Sequence, residues 1–292
     1  LLSRGLGDVY KRQMLDYVKE TPDVLKTNIE QYTTLVDPLM KEVQQKEIKR
    51  ILLVASGSSH NACYCARSFV EKVSGLEVRI IMPYTFTYYE NDIKENDLVL
   101  VVTQSGLSTN AIEALKIIKK KECRAICLTG NKNSDVKDVA DVVIEYGVGE
   151  ELVGYVTKGV SSLALFLDLF AIAYSGKIEY LDELKKAVDL NEEMIDQATS
   201  FIQQHYKNFS SMSWVYSCGA GANYGTALES ALKMGETIHI PSCCYEIEEY
   251  IHGPNLQLTP QYNVIFFDGN DGASRRVEPV SYTHLTLPTK LE

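Results

Sequence analysis

Glu229, Lys233 and Glu236 stand at i, i+4 and i+7, a spacing that puts all three on one face if the segment is helical. Sixteen residues beyond Glu236 comes His252-Gly253-Pro254, preceded by Glu246, Glu248 and Glu249. A carboxylate beside a lysine can abstract a carbon-bound proton and an imidazole titrates near neutral pH, so together they could supply sugar ring opening and enolisation. Two hydroxyl-rich clusters add a second chemistry: Ser56, Ser58 and Ser59 in one, and Thr103, Gln104, Ser105, Ser108 and Thr109 in the other. Glycines interleaved with hydroxyls let backbone amides approach a ligand, and the natural guest is a phosphate. The residues also have plainer readings. Glu229 and Lys233 could be a solvated i,i+4 ion pair, and the serines and threonines could simply cap helices.

The elements that must position these residues follow from the apolar pattern. Short runs of β-type residues at Ile51–Ala55, Val78–Ile81, Leu98–Val102, Ala125–Thr129 and Val142–Tyr146 alternate with helical stretches, among them one to about Val73 and another over Ala111–Lys121. Near-continuous apolar strands alternating with amphipathic helices predict an α/β fold, a doubly wound parallel sheet with helices on both faces. Both hydroxyl clusters then follow strands, where ligands of such sheets bind. Thr21-Pro22 reads as a helix start, opening a helix to about Gln45, and Ala164–Ala173 is an apolar helix. Leu181–Gln204 reads as a connector. A second unit repeats the order, with a strand at Trp214–Ser217, the loop Cys218-Gly219-Ala220-Gly221, a helix over Tyr224–Ile238 and a strand at Asn263–Phe267. The expected organisation is an N-terminal helix in 14–48, a first domain in 49–178, a connector in 179–208 and a second, incomplete copy of about two strands in 209–278.

Of the 292 residues, 45% are hydrophobic and 23% charged, which excludes disordered, collagen-like and coiled-coil classes. With 29 Lys and Arg against 39 Asp and Glu, the net charge of −10 offers no long-range attraction for nucleic acid or an anionic membrane, so neither is an expected partner. The longest apolar stretch, Ser161–Tyr174, is interrupted by Asp168 and falls short of the roughly 18 to 20 residues of a membrane span. The expectation is a soluble, cytoplasmic protein. The seven cysteines include no paired CxxC motifs and read as small hydrophobes, so no metal is expected. The opening LLSRGLGDVYKRQ (1–13) and the closing stretch 279–292, ending in VSYTHLTLPTKLE, lack the patterning between them and read as sequencing-adapter read-through, with Met14 as the expected start.

The runs LLVASGSSHNA, VVTQSGLSTNAIEAL, VTKG, ALESALKMGETIHI and EIEEYIHGP resemble, in order and over about residues 21 to 270, the tandem sugar isomerase (SIS) family. The most similar branches are the isomerase half of glutamine:fructose-6-phosphate aminotransferase and the stand-alone fructosamine-6-phosphate deglycases. The resemblance implies two flavodoxin-like SIS copies acting on a phosphorylated sugar. It implies that Ser59, Thr103, Gln104, Ser105 and Ser108 hold the sugar phosphate, joining Ser58 of the first hydroxyl loop. Glu236 matches the general base moving a proton between C1 and C2, and Lys233 and Glu229 match its neighbours. His252 matches the histidine linked to ring opening, which reaches the site from a partner subunit, so a homodimer is implied and no organic cofactor is needed.

Ala220 stands where the aminotransferase has an arginine, and no glutaminase portion with an N-terminal cysteine precedes the isomerase stretch, so ammonia delivery from glutamine is not expected. The expected activity is deglycation or deamination of an amino-sugar phosphate or fructosamine 6-phosphate, or aldose–ketose isomerisation, all through an enediol or enolamine. Competing readings are a non-catalytic sugar-phosphate sensor on the same fold and a fragment of an aminotransferase-like isomerase.

Overall fold

The computed structural model describes residues 13–44, 46–152 and 154–283. The chain enters through two helices, Met14–Glu30 (α1) and Tyr32–Val43 (α2), separated at Gln31. Tyr17, Thr21, Leu25 and Asn28 recur along one buried face of α1, so the helix runs through Thr21-Pro22 instead of starting there. Pro22 contributes no N–H, and the Thr21 hydroxyl donates back to the Tyr17 carbonyl at 2.8 Å rather than capping a helix start. The one N-terminal helix expected from the sequence is therefore two.

The first sheet is built from Arg50–Val54 (β1), Gly57–Ser74 (α3), Glu77–Ile81 (β2), Pro83–Tyr88 (α4), Asp97–Thr103 (β3), Thr109–Lys120 (α5), Ile126–Thr129 (β4), Val142–Glu145 (β5) and Lys158–Ser175 (α6). Its five strands are parallel in the order β2-β1-β3-β4-β5. That is the doubly wound order whose direction reverses between β1 and β3, and the crevice beyond their carboxyl ends is where such sheets bind ligands.

Alternation along the strands divides the core. Ile51, Leu53, Leu98, Leu100 and Val102 pack toward α1, α2, α3 and α6, whereas Leu52, Val54, Val99 and Val101 pack toward α4 and α5. All seven residues of β3 are buried, as a strand covered on both faces requires. α6 is long and apolar enough by length and composition to cross a membrane, more so than the interrupted sequence run suggests. Here its Leu163, Phe166, Leu167, Phe170 and Ile172 sit in the first of these cores.

Tyr180–Gln204 (α7) connects to a second lobe, with Val188 its one buried residue. There follow Tyr206–Ser210 (α8), Trp214–Gly219 (β6), Ala222–Lys233 (α9), a π-helical turn at Met234–Ile238, Ser242–Glu246 (β7), Ile247–Ile251 (α10), Tyr262–Phe267 (β8) and Ser274–Thr283 (α11). The second sheet is parallel, in the order β7-β6-β8. It has three strands where about two were expected. β7, with the sequence SCCYE, has neither an apolar run nor a clean alternation, and its register against β6 defines it. The lobes meet along α3 and α9. Gly225 makes that approach possible, because a Cβ there would lie 2.5 Å from the Cys65 backbone nitrogen.

Of the two terminal stretches expected to be foreign, residues 1–12 and 284–292 lie outside the described residues. Gln13 caps α1, its backbone N–H donating to Asp16 at 2.7 Å, and residues 279–283 belong to α11, whose Val280 is buried.

Candidate active site

A cleft of about 1110 Å³ opens at the carboxyl ends of β1, β3, β4 and β5. One wall is the start of α3, Ser56 to Ser59, and another is Thr103, Gln104 and Ser105 after β3. Gly147 to Leu152, with Gly154 and Val156, cover one side, and from the second lobe Glu236 closes the opposite one.

Three helices begin around this cleft and differ in what holds their first amides. At α5 the Ser108 hydroxyl accepts from Ala111 N–H at 3.4 Å, a conventional cap. At α6 the Glu151 carboxylate accepts from the backbone N–H of Thr157 and, at 3.0 Å, of Gly159, so a protein anion already occupies that end. At α3 the Ser56 hydroxyl makes no capping bond and the first turn carries no acid, so the amides at the start of an 18-residue helix are open to the cleft. Unclaimed amides and the positive end of the helix dipole favour an anion there.

Side chains of the hydroxyl loops are held by their surroundings. Tyr146 donates to Gln104 Oε1 at 3.1 Å, and burial pushes its phenol well up, keeping it a neutral donor. The Gln104 side chain packs against α6 where only a glycine fits, since a Cβ on Gly159 would stand 1.8 Å from Gln104 Oε1. Ser105 Oγ accepts from Leu107 N–H at 3.2 Å. Ser59 and Thr103 are buried in the cleft wall.

Glu229, Lys233 and Glu236 come together as their spacing implies, although the last turn is π-helical instead of the α-helix expected to Ile238. Lys233 Nζ lies 2.7 Å from Glu236 Oε2 and 3.2 Å from Glu229 Oε1. The group reaches across the lobe boundary: Ser58 Oγ donates to Glu229 Oε1 at 2.9 Å and accepts from Lys233 Nζ at 3.1 Å. Asn61 Nδ2 donates to Glu229 Oε2 at 2.8 Å. The Ser58 hydroxyl is thus committed to the second lobe even though the residue lines the cleft.

Of the helix trio only Glu236 lines the cleft, with Glu229 and Lys233 standing behind it, and two further predicted residues stand apart. Ser108 caps α5 and is not in the cleft wall, and His252, exposed at the end of α10 near Glu248, does not reach the cleft of its own chain. Conversely, Asn61, Glu151 and the stretch Gly147 to Leu152 carry much of the geometry and are not among the residues expected from the sequence. The Gly147-Val148-Gly149 pair was the available signal for the loop, and both glycines have positive φ. Among the described residues, no group of three or more His, Cys, Asp or Glu is placed to hold a metal ion. Burial pushes Cys65 up to about 11 and Cys127, Cys218 and Cys244 up to about 12, which keeps these thiols protonated.

Residues 46–173 match the family described as SIS domain. The chain is 27% identical over 270 residues to glutamine--fructose-6-phosphate aminotransferase [isomerizing] of Clostridium perfringens, an alignment covering 88% of this chain and 44% of that protein. It therefore spans under half the length of such curated relatives. Among solved structures it is similar to a candidate phosphosugar isomerase of Clostridium difficile 630, with a TM-score of 0.82, 25% identity, and coverage of 93% of this chain and 80% of that one. It shares the fold of glucosamine-6-phosphate deaminase from Thermotoga maritima, with a TM-score of 0.77, 22% identity, and coverage of 92% and 81%.

Proposed function

Starting from a chain that carries a SIS domain, matched over residues 46–173, we propose that it is an enzyme acting on a phosphorylated amino-sugar or fructosamine 6-phosphate. The observation that carries this reading is the position of Glu236: an acid from the second lobe, paired with Lys233, faces the same cleft as the hydroxyl loops and the open start of α3. In this reading the sugar phosphate lies against the α3 amides with Ser59, Thr103, Gln104 and Ser105. Glu236 takes the proton from the carbon beside the carbonyl or imine, and returns it to the neighbouring carbon. Negative charge developing on the substrate oxygen is met by the Lys233 ammonium and by helix-start amides.

Two finer elements belong to the same proposal. Glu150 lines the cleft and is exposed, which suits a substrate bearing a cationic amine. His252 is supplied by a second copy in a homodimer, where it assists ring opening; its exposed position outside its own cleft is compatible with that role.

Incubation of the purified protein with glucosamine 6-phosphate and fructosamine 6-phosphates should release amine or interconvert ketose and aldose. Glu236→Gln should lower kcat by about 10²- to 10⁴-fold while phosphosugar affinity, read by calorimetry, persists. Binding without turnover of any phosphosugar by the parent would replace the enzyme reading with that of a sensor.

A further inference from the structure

Outside the cleft wall, Asn61 ties α3 to the network around the candidate base. It is 5% exposed on α3, and its two ends face different partners. Nδ2 donates to Glu229 Oε2 at 2.8 Å, and Oδ1 lies 3.3 Å from His60 Nδ1. A carboxylate can only accept, so the contact to Glu229 fixes which way the amide points and requires His60 to present Nδ1–H.

The consequence passes through Glu229. Its other oxygen, Oε1, accepts from Ser58 Oγ at 2.9 Å and faces Lys233 Nζ at 3.2 Å. The lysine has three N–H donors and three neighbours: Glu229, Ser58 at 3.1 Å and Glu236 at 2.7 Å. Both oxygens of Glu229 are therefore engaged, which suits it to holding a neighbour rather than to exchanging protons with a substrate. How strongly Glu229 competes with Glu236 for the ammonium depends on the donor it receives from Asn61. Without that donor, Glu229 concentrates more charge on Lys233 and Glu236 receives less.

We infer that Asn61 is a positioning residue: it locks Glu229 across the lobe boundary so that the Lys233 ammonium stays on the Glu236 carboxylate. The inference rests on the proposed function in taking Glu236 as the reacting base. The titratable groups that face this network are His60 and Cys65 from α3, buried Asp168 from α6, Glu229 and Lys233 from α9, Glu236 from the π-turn, and His239, whose Nε2 lies 3.1 Å from the Glu236 carbonyl oxygen.

The test compares Asn61→Ala and Asn61→Asp with the parent. For Asn61→Ala, kcat should fall about 10- to 100-fold, the cost typical of a misplaced group outside direct contact. KM for the phosphosugar should stay within about threefold, because the loops that hold it are untouched. Asn61→Asp sets a carboxylate against Glu229, draws the ammonium from Glu236, and should move the acid limb of the kcat profile up by about one pH unit. Added to Glu229→Ala, Asn61→Ala should cost nothing further; full additivity of the two losses would overturn the inference, as would an unmoved pH limb in Asn61→Asp. Titration of the Glu236 carboxyl by ¹³C NMR needs no turnover: it should move up in Asn61→Asp, and an unchanged value rejects the positioning role. A parent inactive on every phosphosugar would sink the proposed function, while this NMR arm still decides the inference. Thermal melts of both variants identify any loss of kcat that comes from unfolding; if either unfolds, the Glu236 titration is read in Asn61→Ser, where the same upward shift is expected.

Discussion

At the amino-terminal edge of the first sheet, far from the cleft, Arg50 and Asp97 form a paired contact across β1 and β3. Nε to Oδ1 measures 2.9 Å and Nη2 to Oδ2 measures 2.6 Å, with side chains 12% and 3% exposed. Burial pushes the Asp97 carboxyl up, but hydrogen bonds from Arg50 and from Lys94 N–H outweigh it and hold it below its ordinary range. A depressed carboxyl contributes stability that is in place above its unfolded value and is lost as pH falls through the folded one. The melting temperature should therefore drop steeply below about pH 4 in the parent and less steeply in Asp97→Asn. Arg50→Ala, which strands a buried carboxylate, should cost about 3 kcal/mol at neutral pH in denaturant melts. A flat comparison in either experiment would show that the pair is dispensable. Single residues were legible where local geometry decides their neighbours. Glu229, Lys233 and Glu236 could be grouped because a helical turn brings them together without help from the rest of the chain. Asn61 could not be found this way, since its partner is 168 positions away across an interface. Ser58 was recognised as a cleft residue but its commitment to Glu229 was hidden for the same reason.

Among elements, α1 acts as a clasp on the loop that covers the cleft. Asn28 Nδ2 donates to Gly147 O at 3.0 Å, the Tyr17 hydroxyl accepts from Leu152 N–H at 2.9 Å, and buried Lys158 pairs with Glu20 at 2.9 Å. Gly147 has φ of +80°, and a Cβ there would stand 2.6 Å from Asn28 Oδ1. Gly147→Ala should push the loop off α1 and weaken phosphosugar binding about tenfold by calorimetry. Adding Asn28→Ala removes the clash and should recover part of that loss; an unchanged Kd in Gly147→Ala would mean that α1 does not position the loop. The central strands β1, β3 and β4 were readable because burial on both faces leaves continuous apolar runs. β7 was not, since an edge strand with one exposed and one half-buried cysteine owes its form to the neighbour it pairs with. The beginning of α1 was obscured by Thr21-Pro22, a local start signal that a longer buried face overrides.

For the molecule as a whole, two sheets share the first part of one winding order, and the helix after the first strand of each, α3 and α9, forms the contact between lobes. The proposed dimer can be checked by complementation. Glu236→Gln and His252→Ala subunits, each impaired alone, should regain about a quarter of parental activity when mixed and reassociated, because a symmetric mixture leaves one site in four with both groups. No recovery would place His252 outside the site. Both lobes turn into their helices through a glycine at φ of 57°, Gly57 in one and Gly221 in the other, yet the second turn offers Ala220 and Ala222 where the first has serines. In the proposed function the serine turn of the first lobe grips the phosphate while the second lobe supplies the working acid. On that reading a lesion in the serine turn has no understudy, whereas the alanine turn is at liberty to drift without loosening the hold on the ester.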